Sequence, residues 1–259
     1  MIVGQVGNVS DFFCYEMTSM FADYTYSINV YVPQGEAPKE GFPVIYVLDG
    51  SSYFQYVKEA VRLQSRNALK TGVLPAIVVG IGHRADMHER RFYDFTAPAK
   101  TYSYPARFKG KGYHQHGGAE NFSRFLQEEL KPQLYAQFHV NKQQQTLFGH
   151  SLAGYFALWQ LLNDKDRFQH YIAISPSIWW NEHELFGRVK AFIEAHQHVK
   201  ETIFIGVGEL ETFMVEDARQ MAEQLEQVMD IVFYEALSEN HASVVPTVMS
   251  RAIRYVYKN

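Results

Sequence analysis

Cysteine is almost missing: Cys14 is alone in 259 residues. One thiol excludes an intramolecular disulfide framework and fits a reducing compartment. Long apolar runs are missing too. No stretch approaches the roughly 20 apolar residues needed to span a bilayer, so no membrane association is expected. The opening Met1-Ile2-Val3-Gly4-Gln5 lacks the basic and apolar regions of a secretory signal, which makes the cytoplasm the expected location. Charge of one sign does not dominate. The net charge is −4 and is not gathered in tails, so a nucleic-acid footprint is not expected. Repeats, low-complexity tracts and linkers are absent, and residues 1–259 read as one domain.

What is present is a rhythm of short apolar runs and helical patterns. The stretch from Phe12 to Tyr31 reads as two strands around a turn near Phe21-Ala22-Asp23. Pro43–Leu48, Ala76–Gly82, Gln145–Phe148, Tyr171–Ile174 and Thr202–Val207 read as buried strands, the first of them on both faces. Ile231–Ala236 is a further strand. Helical spacing covers Tyr53–Leu69, Ala119–Phe138 with an interruption at Lys131-Pro132, Tyr155–Leu162, Met214–Met229 and Val244–Tyr257. Such alternation predicts an α/β chain with a mostly parallel sheet covered by helices on both faces. Residues 83–118 are too long and polar for an ordinary connection and read as a lid-like insertion.

Gly149-His150-Ser151-Leu152-Ala153-Gly154 lies between a strand and an apolar helix. A Gly-x-Ser-x-Gly turn in that setting is a nucleophile elbow, the signature of the α/β-hydrolase fold. Ser151 is the candidate nucleophile, and the Leu152 N–H at a helix N-terminus is a candidate oxyanion donor. The base should follow the last strand, which selects His241 in Glu239-Asn240-His241-Ala242. The acid should follow the strand ending Val207-Gly208. The register selects Glu211, with Glu209 as the alternative. The second oxyanion donor is expected after the early central strand, in Asp49-Gly50-Ser51-Ser52. There the Ser51 N–H is the candidate and Gly50 permits close approach of substrate. Asp49 reads as a turn-stabilising residue.

Those motifs, together with Val47-Leu48-Asp49-Gly50, Ser175-Pro176-Ser177-Ile178-Trp179-Trp180 and Asn240-His241-Ala242-Ser243, resemble the esterase D-type α/β-hydrolases. Among these the chain is similar to the ferric-siderophore trilactone esterases, the enterobactin and bacillibactin branch, over about residues 10–257. The resemblance implies ester hydrolysis through an acyl-enzyme on Ser151, with His241 moving the proton and Glu211 orienting it. It also implies a small-molecule ester substrate, in that branch a cyclic trilactone bearing catecholates.

The insertion mixes His83, Arg84, His88, Arg90, Arg91, Arg107, Lys109 and Lys111 with Phe92, Tyr93, Phe95, Tyr102, Tyr104, Phe108 and Tyr113. Cations among rings suit an anionic ferric catecholate, and Arg90 and Arg91 are the leading substrate-binding candidates; solvated loop polarity is the competing reading. Trp179 and Trp180 follow a strand end, where one is expected to line a pocket and the other to pack in the core. His114/His116 and His196/His198 lack a third ligand, so no metal is expected, and Gly80-Ile81-Gly82 lacks the context of a dinucleotide site. No cofactor is expected. The competing functions are a general short-chain carboxylesterase or thioesterase resembling S-formylglutathione hydrolase, and a non-catalytic binding protein of the same fold.

Overall fold

The computed structural model describes residues 12–84, 87–103 and 115–257. Strands β1 (Phe12–Ser19), β2 (Tyr24–Tyr31), β3 (Phe42–Leu48), β4 (Ile77–Gly82), β5 (Val140–His150), β6 (His170–Ile174), β7 (Val199–Gly208) and β8 (Met229–Ala236) form one sheet. Its order is β1-β2-β4-β3-β5-β6-β7-β8. β2 pairs antiparallel with both of its neighbours, and every pair from β4 through β8 is parallel. This is the α/β-hydrolase architecture.

The strand pattern sorts side chains onto two faces. In β3, Val44, Tyr46 and Leu48 enter one core, and Ile45 and Val47 enter the other. Helices α1 (Gly50–Ser65) and α9 (Val244–Val256) cover the second face, packing Phe54, Val57, Val61, Val245, Val248 and Ile253 against it. The first face carries α6 (Leu152–Asn163), α7 (Glu184–Ala195) and α8 (Phe213–Leu225). Ten of the twelve residues of α6 are buried, so it is apolar on nearly every side, as a helix beneath other helices must be. A short α2 (Ala68–Thr71) ends at Gly72 with φ of 76°, the left-handed stop favoured by glycine.

Two regions differ from the sequence expectation. The insertion is not all loop: α3 (Met87–Phe95) runs through it and packs Phe95 fully into the core. The helical stretch after Gly118 is not broken at Pro132. It passes from α4 (Ala119–Arg124) through a π-helical turn (Phe125–Leu130) into α5 (Lys131–Gln137). Pro132 sits in the first turn of α5, where a missing N–H costs little, and the wide turn before it absorbs the mismatch. Among the described residues no helix is long and apolar enough to cross a membrane.

Candidate active site

The C-terminal ends of β3, β5, β7 and β8 converge, and the loops beyond them carry the candidate residues, as expected at the carboxyl edge of an open α/β sheet. Ser151 joins β5 to α6 with φ of 61° and ψ of −120°, an unfavourable backbone state for a residue with a Cβ. The flanking main chain holds it there. Ser151 N–H donates to Ile174 O (3.0 Å), and Ser151 O accepts from Ser177 N–H (3.0 Å) and Tyr155 N–H (2.9 Å). Gly149 is obligatory, since a Cβ there would lie 2.1 Å from Ala153 O. Helix geometry leaves the Leu152 N–H without an intrahelical acceptor.

Glu211 ends a short turn after β7 and is buried. His241 Nδ1–H donates to its Oε2 (2.6 Å), while Gly208 N–H (2.7 Å) and Ser175 Oγ–H (2.5 Å) donate to Oε1. Burial pushes the Glu211 carboxyl up, but the hydrogen bonds from His241, Ser175 and Gly208 outweigh it and hold the group below the usual carboxylate range. With Nδ1 carrying the proton, His241 Nε2 is left as an acceptor; that tautomer is assigned from the hydrogen-bond network. Glu209 points elsewhere, accepting from Ser238 N–H (2.7 Å) and bracing the loop before His241. Ser151 Oγ lies 3.3 Å from Ser177 Oγ.

Ser151 and His241 line two adjoining cavities. The larger, about 410 Å³, is mostly apolar, with Phe92, Leu152, Trp179, Phe213 and Met214 beside His88, Arg91 and Ser177. The smaller, about 210 Å³, is polar and lined by Asp49, Ser52, Tyr53, Arg91 and His150. Arg91 belongs to both. Asp49 holds it with a paired bridge, Nε to Oδ1 at 2.6 Å and Nη2 to Oδ2 at 2.8 Å. Asp49 therefore does more than stabilise a turn.

The structure separates the paired candidates. Arg90 does not line either cavity. Its guanidinium bonds Asp94 (Nε to Oδ2, 3.0 Å) and Ala22 O (2.7 Å) and lies over the Tyr24 and Tyr93 rings. Consecutive helical residues diverge by about 100°, so Arg90 and Arg91 cannot share a face. Trp179 borders the larger cavity, whereas Trp180 is wholly buried against Phe92, Tyr102 and His116. Gly50 is likewise not a cavity residue: it packs on β4, and a Cβ would sit 2.6 Å from Ile81 N. Ser51 turns its hydroxyl toward Gly82, while Ser52 N–H is committed to Asp49 O (2.9 Å). His196 Nδ1 bonds Phe192 O at 2.8 Å. Arg107, Lys109, Lys111, Tyr104, Phe108, Tyr113 and His114 lie outside the described residues.

Sequence reasoning gave no role to Phe213 and Met214. Their place two and three residues after Glu211 was the available signal, since residues following the acid pass close to the cleft. Ser177, Tyr53 and His150 carried no such signal. Among the described residues no cluster of His, Cys, Asp and Glu has the arrangement of a metal site.

Fold and site together define a serine hydrolase of the α/β-hydrolase class. Residues 19–252 match the esterase family described as "Putative esterase". The chain is 40% identical over 251 residues to the ferri-bacillibactin esterase BesA of Bacillus subtilis, covering 92% of this chain and 87% of that protein. The crystal structure of the BES protein from Bacillus cereus superposes with a TM-score of 0.88 at 41% identity, covering 97% of this chain and 98% of that one. The siderophore hydrolase EstA from Aspergillus nidulans superposes with a TM-score of 0.81 at 25% identity, covering 98% and 96%. The chain belongs to this esterase family and is an ester hydrolase.

Proposed function

We propose that the chain opens siderophore trilactones through an acyl-enzyme formed on Ser151. The reading rests first on the 2.6 Å His241–Glu211 bond beside a serine held at positive φ, both facing one cleft. Ser151 Oγ attacks the ester carbonyl and passes its proton to His241 Nε2. Glu211 orients the ring and stabilises the imidazolium. The Leu152 and Ser51 N–H groups receive the oxyanion. Ser51 lines neither cavity, but it is the second residue of α1, where a helix N-terminus has N–H groups with no intrahelical acceptor. The alkoxide leaves with the proton from His241, and water then cleaves the acyl-enzyme by the reverse relay.

The trilactone substrate is supported by the named activities of the relatives and by the cleft. An apolar wall of Phe92, Trp179 and Phe213 with the Arg91 cation beside it suits an anionic catecholate arm. The single continuous sheet supports one catalytic domain, and the lone Cys14 supports action in the cytoplasm.

The test compares kcat/KM of the wild type and Ser151→Ala on a ferric tri-catecholate trilactone and on a p-nitrophenyl short-chain ester. Ser151-dependent preference for the trilactone is expected. Turnover of the simple ester alone would reject the siderophore substrate and leave a general esterase.

A further inference from the structure

His150 ends β5 and directly precedes Ser151, so its backbone belongs to the elbow. Its side chain serves no step of the proposed reaction, yet it is buried and its ring lies 4.5 Å from the His241 ring, tilted by 42°. On its other side, Tyr53 Oη lies 2.9 Å from His150 Nδ1, and the Tyr53 ring meets it edge-on at 5.4 Å. Tyr53 in turn packs edge-on against Phe148 at 5.8 Å. Tyr53 lies in the first turn of α1, the helix whose N-terminus supplies the oxyanion loop. A column of rings thus runs from the core through the oxyanion helix to His241.

The column has a defined electrical state. Burial, with His241 and Arg91 as further causes, pushes the His150 imidazole down to about 3, so it is neutral at working pH. Burial raises the Tyr53 phenol, so its O–H is kept to donate into Nδ1. That bond places the His150 proton on Nε2, which is sealed from solvent and turned toward the His241 main chain outside good hydrogen-bond geometry, a contact that opposes the downward shift without overcoming it. The charged groups nearby are Asp49 and Arg91, which line the polar cavity with Tyr53, and Glu211, which bonds His241 directly. A cationic His150 would oppose the imidazolium that forms on His241 during proton transfer; a neutral one does not.

We propose that Tyr53 and His150 act together as a positioning unit for His241, bracing its ring toward Ser151 and tying it to the helix that carries the oxyanion loop. His241 needs such a brace because its side chain is 44% exposed and Glu211 grips it at one atom only. The proposal rests on the triad reading above. Both residues act through His241 and need not touch substrate.

The test measures kcat, KM and melting temperature for Tyr53→Phe, His150→Phe and the double variant, with a p-nitrophenyl ester. Ser151→Ala is the control. Each single variant is expected to lower kcat about 10- to 100-fold, part of what a placed general base supplies, with KM changed by less than about twofold. The double variant is expected to be no slower than the worse single one, since the two residues form one unit. Wild-type kcat in Tyr53→Phe, or losses that multiply in the double variant, would overturn the proposal. So would a loss confined to melting temperature. Tyr53→Phe removes one oxygen only, so it keeps the test alive if His150→Phe fails to fold. Activity remaining in Ser151→Ala would overturn the triad and this proposal together; an inactive Ser151→Ala with a fully active Tyr53→Phe would overturn this proposal alone.

Discussion

Ser151, His241 and Glu211 come from three separate loops, yet each has a measurable reason to be where it is. Ser151→Ala is expected to lower kcat by about 10⁶, as for triads that act as a unit, checked by steady-state turnover. The two loop carboxylates divide by contact. Glu211→Gln loses the charge that faces His241 Nδ1, whereas Glu209→Gln disturbs only a bond to Ser238 N–H. A loss about 10³-fold or more in kcat is expected for Glu211→Gln, and less than about tenfold for Glu209→Gln; a reversed order would reassign the acid. The neighbouring arginines divide in the same way. Arg90→Ala takes the guanidinium from a buried Asp94 carboxylate, leaving it Tyr26 and His83 as partners, and is expected to cost about 2–3 kcal/mol in urea unfolding. Arg91→Ala is expected to raise KM for the ferric catecholate and leave the KM of a neutral ester nearly unchanged. Ester-independent losses would make Arg91 a structural partner of Asp49 alone.

At the scale of elements, the elbow is the clearest case of a motif with a steric cause. Gly149 faces the first turn of α6 so closely that Gly149→Ala drives a methyl into Ala153 O and C. Neither atom can move without moving the helix. The variant is expected to lose its folded state or its activity entirely, read by circular dichroism and turnover. The strand–turn–helix pattern made this element legible in the sequence. Helix α3 was not legible, because its residues Met87–Phe95 mix four charged side chains with three aromatic ones and their pattern is obscured by the polar segment around them. The π-helical turn at Phe125–Leu130 was equally hidden: a proline at Pro132 looks like a break until the preceding turn is seen to widen.

At the scale of the whole molecule, buried histidines set the acid limit. His150 is pushed down to about 3 and His170 to about 4, each chiefly by burial. Both fall below the ordinary histidine value near 6.5. The unfolded chain therefore binds more protons than the folded one as pH falls below that value, and stability drops with pH. The loss starts near the ordinary value and is complete only below the folded values. Between neutrality and about pH 5 each group is expected to cost about 1–2 kcal/mol. Glu211 acts in the same direction at lower pH, since its depressed carboxyl stabilises the fold above the ordinary carboxylate range and is neutralised as pH falls through its folded value. Urea midpoints measured across this range check the slope. His170→Gln should flatten it, as Gln can still bond Thr202 Oγ1, which lies 2.9 Å from His170 Nδ1.

The sequence by itself determined the sheet, the elbow and the order along the chain of the proposed nucleophile, acid and base. Those features are written in local patterns: apolar runs, a glycine-flanked serine, and polar loops after strands. Tertiary structure alone decided which of two adjacent residues faces the cleft. Arg91 rather than Arg90 and Trp179 rather than Trp180 border the cleft, while Glu211, which the register had already selected over Glu209, bonds His241. Neighbours in sequence point in different directions, and the direction that matters depends on where Asp49, Asp94, Ser238 and His241 arrive from elsewhere in the chain. The contact of His150 with His241 is of the same kind: it exists because two loops, separated by three strands and three α-helices, close over one edge of the sheet.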